Sequence, residues 1–321
     1  MRITIDKEKH DISFIECENR HGRIFVFCTC GAAMYRLSSD GHDFLVSPKN
    51  HDVFLSSPGY YGKTLGPIAG RYDRRQFGSA DKEVITHGGA NALSFKNFAF
   101  VIARHREYTD IIFEYYVNEQ GEFAGNHCLY RVTYRVFETK DKIKIIHVIK
   151  PSHDTYASLS IHNYYKLGYR DNKGCYVTLH GKEVSTVDEQ DYLIKSFSPI
   201  KDQFVLDGKK ALGTSFYGTD HYGRFGHYIK KVRWPIVFKD NRAKICLRSS
   251  YPDVLFYCDS RPVGVTMLNS EKERAYEALV IEPETCPTDK KALFIKKGKL
   301  RKRYIEISWR SVNCLASQRI E

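Results

Sequence analysis

The sequence has no run of 18 or more apolar residues, and so no candidate transmembrane helix. Its start, MRITIDKEKHDISF, lacks the apolar centre that a signal peptide needs. Both absences point to a cytoplasmic protein with no membrane partner. Close cysteine pairs are scarce as well. Nine cysteines stand at positions 17, 28, 30, 128, 175, 246, 258, 286 and 314, with no C-x-x-C among them. An odd number cannot all pair within one chain, and Cys28-Thr29-Cys30 has no second close pair to complete a tetrahedral zinc site. Reduced thiols and no metal are the expectation. Helical periodicity is nearly missing: only SEKERAYEAL, residues 270 to 279, reads as a helical turn or two. No helices alternate with strands as a βαβ fold requires.

What the sequence does have is period-two alternation. In LYRVTYRVFE, Tyr130, Val132, Tyr134 and Val136 share one face while Arg131, Thr133 and Arg135 share the other, the pattern of a half-buried antiparallel strand. RIFVFCTC, DIIFEYYV, KIKIIHVIK, KGCYVTLHG, WPIVFKD, AKICLRSS and DVLFYCD repeat the theme, each bounded by turn-forming residues. The class is all-β, a sandwich or barrel by its turn spacing. At 321 residues the chain holds either two domains or one large all-β domain. With 42% hydrophobic and 27% charged residues, it is globular rather than disordered.

The net charge of +12 invites a nucleic-acid reading, but the excess is local. KKALFIKKGKLRKR, Lys290 to Arg303, holds eight basic residues and no acidic one. The stretch reads as strand, turn and strand, with Gly298 free to take a positive φ and Ile305, Ile307 and Trp309 on one face beyond it. A solvated hairpin tip is therefore expected, and no nucleic-acid partner.

Four segments concentrate polar residues beside glycines. YYGKTLGPIAGRYDRRQFG, residues 60 to 78, turns through Gly62, Gly66 and Gly70 before Arg71; it is not a P-loop, and a surface turn with an ion-paired arginine accounts for it as well as a ligand clamp does. VITHGGANAL places His87 before two glycines that leave room for a ligand. In SLSIHNYYKLG, Ser158, Ser160 and His162 oppose Leu159 and Ile161, so His162 lies on the polar side of a strand and has the side chain best matched to proton transfer near neutral pH. His147 in IIHVIK is by contrast a structural histidine. ALVIEPETCPTD ends an apolar strand at Glu282, where burial would raise the carboxyl toward the range useful to a general base.

In this order the segments resemble the aldose 1-epimerase (galactose mutarotase) family. CGAAMYRL at residues 30 to 37 resembles its early Gly-Ala strand, YYGKTLGPIAGRY its glycine-rich segment ending in a functional arginine, and THGG its Leu-His-Gly-Gly. IHNYYKLG resembles its Asn-His-Ser-Tyr-Phe-Asn-Leu, and IEPETCPTD its Glu-x-Gln segment followed by Pro-Asp. SSYPDVLFYCD is similar to the strand preceding the catalytic glutamate, and GTDHYGR more weakly to the sugar-binding aspartate. The resemblance implies one galactose mutarotase-like domain over residues 1–321, a large antiparallel β-supersandwich with a sugar groove on one sheet. It implies Glu282 as base and His162 as acid in opening and closing a hexose ring, Arg71 and His87 as groups that orient the sugar and stabilise charge, and Asp220 as acceptor for its hydroxyls. No cofactor is implied, and the protein would be a monomer or homodimer. Tyr60, Tyr61 and Tyr164 are candidates to stack on the sugar.

Three positions depart from the pattern: Gly70 and Ile161 replace asparagines, and Glu284 replaces a glutamine. They bear on sugar specificity, and Glu284 would face the same way as Glu282 in an extended segment, so that like charges raise one carboxyl. Two other functions remain open at this point. One is action on a phosphorylated hexose, with Arg71, Arg74 and Arg75 holding the phosphate; the other is a catalytically silent carbohydrate-binding protein.

Overall fold

The structure is a computed structural model that describes residues 1–57, 59–80, 82–117, 127–167, 171–188, 193–201, 204–214, 226–259, 264–268, 270 and 272–311. Strands dominate, and every pairing between named strands is antiparallel. A nine-stranded sheet carries Arg301–Ser311 at its centre, between Ala243–Ser249 and Lys142–Pro151. A six-stranded sheet places Leu279–Glu284 between Tyr164–Tyr165 and Asp253–Cys258. A five-stranded sheet is formed by the first 43 residues, from Arg2–Lys7 to His42–Asp43. One core joins all three: Phe25 and Phe27, Ile111 and Tyr134, Val254 and Ile281 belong to the same buried cluster.

The alternation seen in the sequence explains this packing. Tyr130, Val132, Tyr134 and Val136 are fully buried, as are Ile305 and Ile307, while Trp309 is nearly so. Each such side chain contributes about 1.5–3 kcal/mol on leaving water. The Tyr134 hydroxyl finds its partner inside by donating to the Ala32 carbonyl at 2.7 Å. Eight cysteines are free, seven of them buried; Cys314 lies outside the described residues. His147 is also interior, with Nδ1 2.9 Å from the Tyr251 hydroxyl. Among the described residues no helix is long and apolar enough to cross a membrane.

Two sequence expectations are corrected. The 270–279 segment is not helical where described; it runs through turns, because two of its carboxylates are drawn inward. Glu273 accepts from the Tyr61 hydroxyl at 2.6 Å, and Glu277 pairs with buried Lys166. Its charge pattern imitates a solvated helix while serving interior partners. The basic stretch is not a hairpin either. Lys290–Leu293 forms a short helix whose first turn is capped by Asp289, accepting from the Ala292 amide at 3.0 Å. Phe294–Ile295 then pairs with Thr155–Tyr156, and Arg301–Ser311 pairs elsewhere. Gly298 does take a positive φ, 71°. Arg301 donates to the carbonyls of Ala157 and Leu293, so part of the charge ties down backbone.

Candidate active site

The Leu279–Glu284 strand is buried along its whole length, which is why it reads as a continuous apolar run apart from its carboxyls. Glu282 lies within the strand, which extends two residues further than the sequence suggested. The polar face of the 158–162 segment packs onto it: Ser160 Oγ donates to the Pro283 carbonyl at 3.0 Å, and Ser158 Oγ accepts from the Thr285 amide at 3.2 Å. The same alternation brings the next residue on that face, His162, to the reactive carboxyl, with Nε2 3.3 Å from Glu282 Oε1. Two serines thus fix the register that sets this distance.

Arg71 and His87 arrive together from a small two-stranded sheet, Arg71–Asp73 against Val84–Thr86, in which Arg71 lies opposite Thr86. Arg71 Nε donates to Thr86 Oγ1 at 3.1 Å, which holds the guanidinium beside the site. Gly70 and His87 hold each other through two bonds. The His87 amide donates to the Gly70 carbonyl at 2.8 Å, and the Gly70 amide donates to His87 Nδ1 at 3.0 Å. Because Nδ1 accepts, the proton of the neutral ring sits on Nε2, and His87 presents a donor to the site. The His87 and His162 rings are 5.6 Å apart and nearly perpendicular.

Gly70 has a φ of +85°, and a Cβ there would overlap the Tyr228 hydroxyl and sit 3.0 Å from Glu284 Oε1. Gly70→Ala is therefore expected to cost about 2–4 kcal/mol, combining left-handed strain with overpacking. Urea unfolding measures it, and a loss under about 1 kcal/mol would contradict this view of the position.

Glu282 and Glu284 are fully buried and His87 and His162 nearly so, and burial controls their protons. Desolvation lifts Glu282 well above the usual carboxyl value; the neighbouring charge of Glu284 adds to this, and Arg71 opposes it. Glu284 is pushed up to about 8 by burial, with the Tyr228 hydroxyl opposing the shift and Asp253 reinforcing it. Desolvation drives His162 down to about 3, and it drives His87 down too, with His162 and Arg71 adding to the effect. Near neutrality the imidazoles of the empty site are thus neutral, and burial favours the protonated form of the carboxyl beside His162.

The structure therefore brings together four of the five residues the sequence singled out. Asp220, with the GTDHYGR segment, lies outside the described residues. The three tyrosines separate by surroundings. Tyr61 is buried and bonded to Glu273, and Tyr164 packs between Tyr61 and His162, at 4.6 and 4.8 Å between ring centroids. Half-buried Tyr60 lies 4.7 Å from the His87 ring and 5.7 Å from that of His162, which makes it the tyrosine best placed to meet a sugar. Tyr228 was missed because GHYIKK carries an ordinary strand pattern with no polar or glycine signal at that position.

His87, His162 and Glu282 also offer three potential ligand atoms within 4.8 Å of one another, the types that bind zinc or iron. The tautomer of His87 does not suit that use, since its Nε2 carries hydrogen while its Nδ1 lone pair is taken by Gly70. The arrangement fits proton exchange with a bound hydroxyl better than metal ligation.

Residues 13–292 match the aldose 1-epimerase family. The chain belongs to it. Family membership makes the protein an isomerase, an epimerase. Its architecture is that of solved relatives: a galactose 1-epimerase from Lactobacillus acidophilus NCFM superposes with a TM-score of 0.84 at 16% identity, covering 97% of this chain and 99% of that one. An aldose epimerase homologue from C. elegans gives a TM-score of 0.78 at 19% identity, covering 93% and 98%. A galactose mutarotase-like protein from Clostridium acetobutylicum gives 0.71 at 12% identity, covering 97% and 99%. At these identities the likeness establishes the galactose mutarotase-like fold. No curated protein matches the chain.

Proposed function

We propose that this epimerase interconverts the α and β anomers of an unphosphorylated hexose, with Glu282 and His162 as its acid–base pair. The observation that carries the reading is their placement: a carboxyl and an imidazole 3.3 Å apart, both shielded from water, with Arg71 and the His87 donor alongside. Ring opening needs one group to remove the proton of the C1 hydroxyl and one to protonate the ring oxygen. In the sugar complex the single proton of the pair lies on His162, and Glu282 is the carboxylate. Glu282 takes the O1 proton, His162 gives its proton to O5, and the C1–O5 bond breaks to leave an aldehyde. Glu282 is then protonated and His162 neutral, the distribution that burial favours in the empty site. Rotation about C1–C2 presents the other carbonyl face, and the two transfers reverse. Arg71 and His87 orient the sugar and oppose charge building on its oxygens, and Asp220 accepts from its hydroxyls. The reading takes residues 1–321 as one domain working in the cytoplasm without a cofactor.

The arginine cluster does not favour a phosphorylated sugar. Arg74 pairs with Glu83 at 2.7 Å, and Arg75 forks onto Asp73, with Nε 2.9 Å from Oδ2. Two of the three cations proposed for a phosphate are thus matched to carboxylates. The test is the decay of optical rotation of fresh α-glucose, α-galactose and their 6-phosphates. Acceleration with the free sugars and none with the phosphates is expected, and inorganic phosphate should not inhibit. Faster decay of a 6-phosphate than of its free sugar would reverse the substrate assignment; no acceleration of any would leave a binding protein.

A further inference from the structure

We propose that Glu284 is a positioning residue, a carboxyl that holds a proton of its own beside Glu282, so that Glu282 serves as base only while Glu284 stays protonated. The inference rests on the epimerase reading and assigns a role to a side chain that the two proton transfers do not need. Residues 282 and 284 alternate on one extended strand, so both side chains leave the same face, and neither is exposed at all. Two full negative charges cannot both be accommodated there without water, so the pair gives up its protons in separate steps.

What faces each carboxyl is different. Toward Glu282 come the Arg71 guanidinium, the His162 and His87 imidazoles and the Tyr60 hydroxyl. Toward Glu284 come Asp253, its partner across the Asp253–Cys258 strand, the Tyr228 hydroxyl from the His227–Lys230 strand, and the Tyr251 phenol. Asp253 is itself buried and occupied, accepting from the Lys231 and Cys286 amides at 3.1 and 3.2 Å. In the sugar complex, where His162 carries the proton, the cation and imidazoles beside Glu282 and the carboxyl beside Glu284 favour the negative charge on Glu282. Tyr228 works the opposite way, since its hydroxyl favours an ionised Glu284. Its position requires Gly70, where any Cβ would strike that hydroxyl. Gly70, Tyr228 and Glu284 form one connected unit behind the base.

The experiment compares Glu284→Gln, Tyr228→Phe, the double variant and the parent in two readouts. In the pH–rate profile of mutarotation, the amide of Glu284→Gln has no proton to lose, so the basic limb set by ionisation of Glu284 moves to higher pH by about one unit. Tyr228→Phe lets Glu284 keep its proton more readily and shifts the limb the same way by less. The double variant goes no further than Glu284→Gln. A role confined to packing would lower the rate without moving the limb. The second readout needs no sugar. Glu284 is raised from its ordinary value to about 8 on folding, so the folded state holds the extra proton and parent stability declines as pH rises through that window. The melting temperature of Glu284→Gln relative to the parent should therefore climb between about pH 4.5 and 8 and be flat below. Turnover with an unmoved limb overturns the proposal alone, as does a melting difference that does not depend on pH. Absence of turnover in the parent overturns the epimerase reading and the base role together, while the melting difference still tests the proton held by Glu284.

Discussion

Glu282→Gln should slow mutarotation at least about 10²-fold, the lower end of what a single acid or base contributes, with the protein folded and no less stable at neutral pH. The loss follows from the geometry, because the described carboxyl within 3.3 Å of His162 is the one removed and an amide cannot accept a proton from O1. The retained stability follows from desolvation. A carboxyl held well above its usual value destabilises the folded state as pH rises, by about 1.4 kcal/mol for each pH unit over which it stays protonated while the unfolded chain is ionised. Glutamine fills the same volume without that penalty, so the variant should melt at or above the parent temperature at pH 8. Polarimetry and thermal melting check both halves. A rate within tenfold of the parent would remove Glu282 as the base.

His162→Ala should cost a similar factor, again at least about 10²-fold in kcat, because no other group lies so close to Glu282 to deliver the proton to O5 among the described residues. The cavity left between Glu282, Tyr164 and Tyr60 gives this loss a second signature. Added imidazole should restore part of the rate, which it does not do for Glu282→Gln. The pH dependence of stability supplies a third. His162 falls from 6.5 unfolded to about 3 folded, so the unfolded chain binds the extra proton in that window and stability is lost as pH falls through it. Without the ring that part of the acid sensitivity disappears, and the variant should lose less stability than the parent between pH 6.5 and 3. Full activity in His162→Ala would pass the role of acid to His87, whose Nε2 hydrogen also faces the site.

Much of the sheet architecture was legible because side chains alternate with a period of two, and a face such as Tyr130-Val132-Tyr134-Val136 has only one way to be buried. The candidate site was legible in part for a related reason. The alternation of Ser158, Ser160 and His162 continues into the interior as a polar face seated on the Glu282 strand, and the glycines around Arg71 and His87 mark backbone that no other residue follows easily. Legibility failed where polar pattern and environment part company. Glu273 and Glu277 look solvated in SEKERAYEAL and are interior, each with a partner more than a hundred residues away. Asp289 caps a helix that KKALFI conceals, since capping depends on one side chain and not on periodicity.

The sequence by itself determined the class, the family and the identity of the chemical groups, because these depend on residue type and order along the chain. Only the tertiary structure decided where the protons reside. A carboxyl raised by burial and an imidazole lowered by it are properties of what surrounds them, and those surroundings come from separate parts of the chain: Arg71, His162 and Glu284 at Glu282, with Tyr228 and Asp253 behind Glu284. Desolvation and Coulomb interactions act through space over a few ångströms. Sequence separation carries no record of them until the strands have packed.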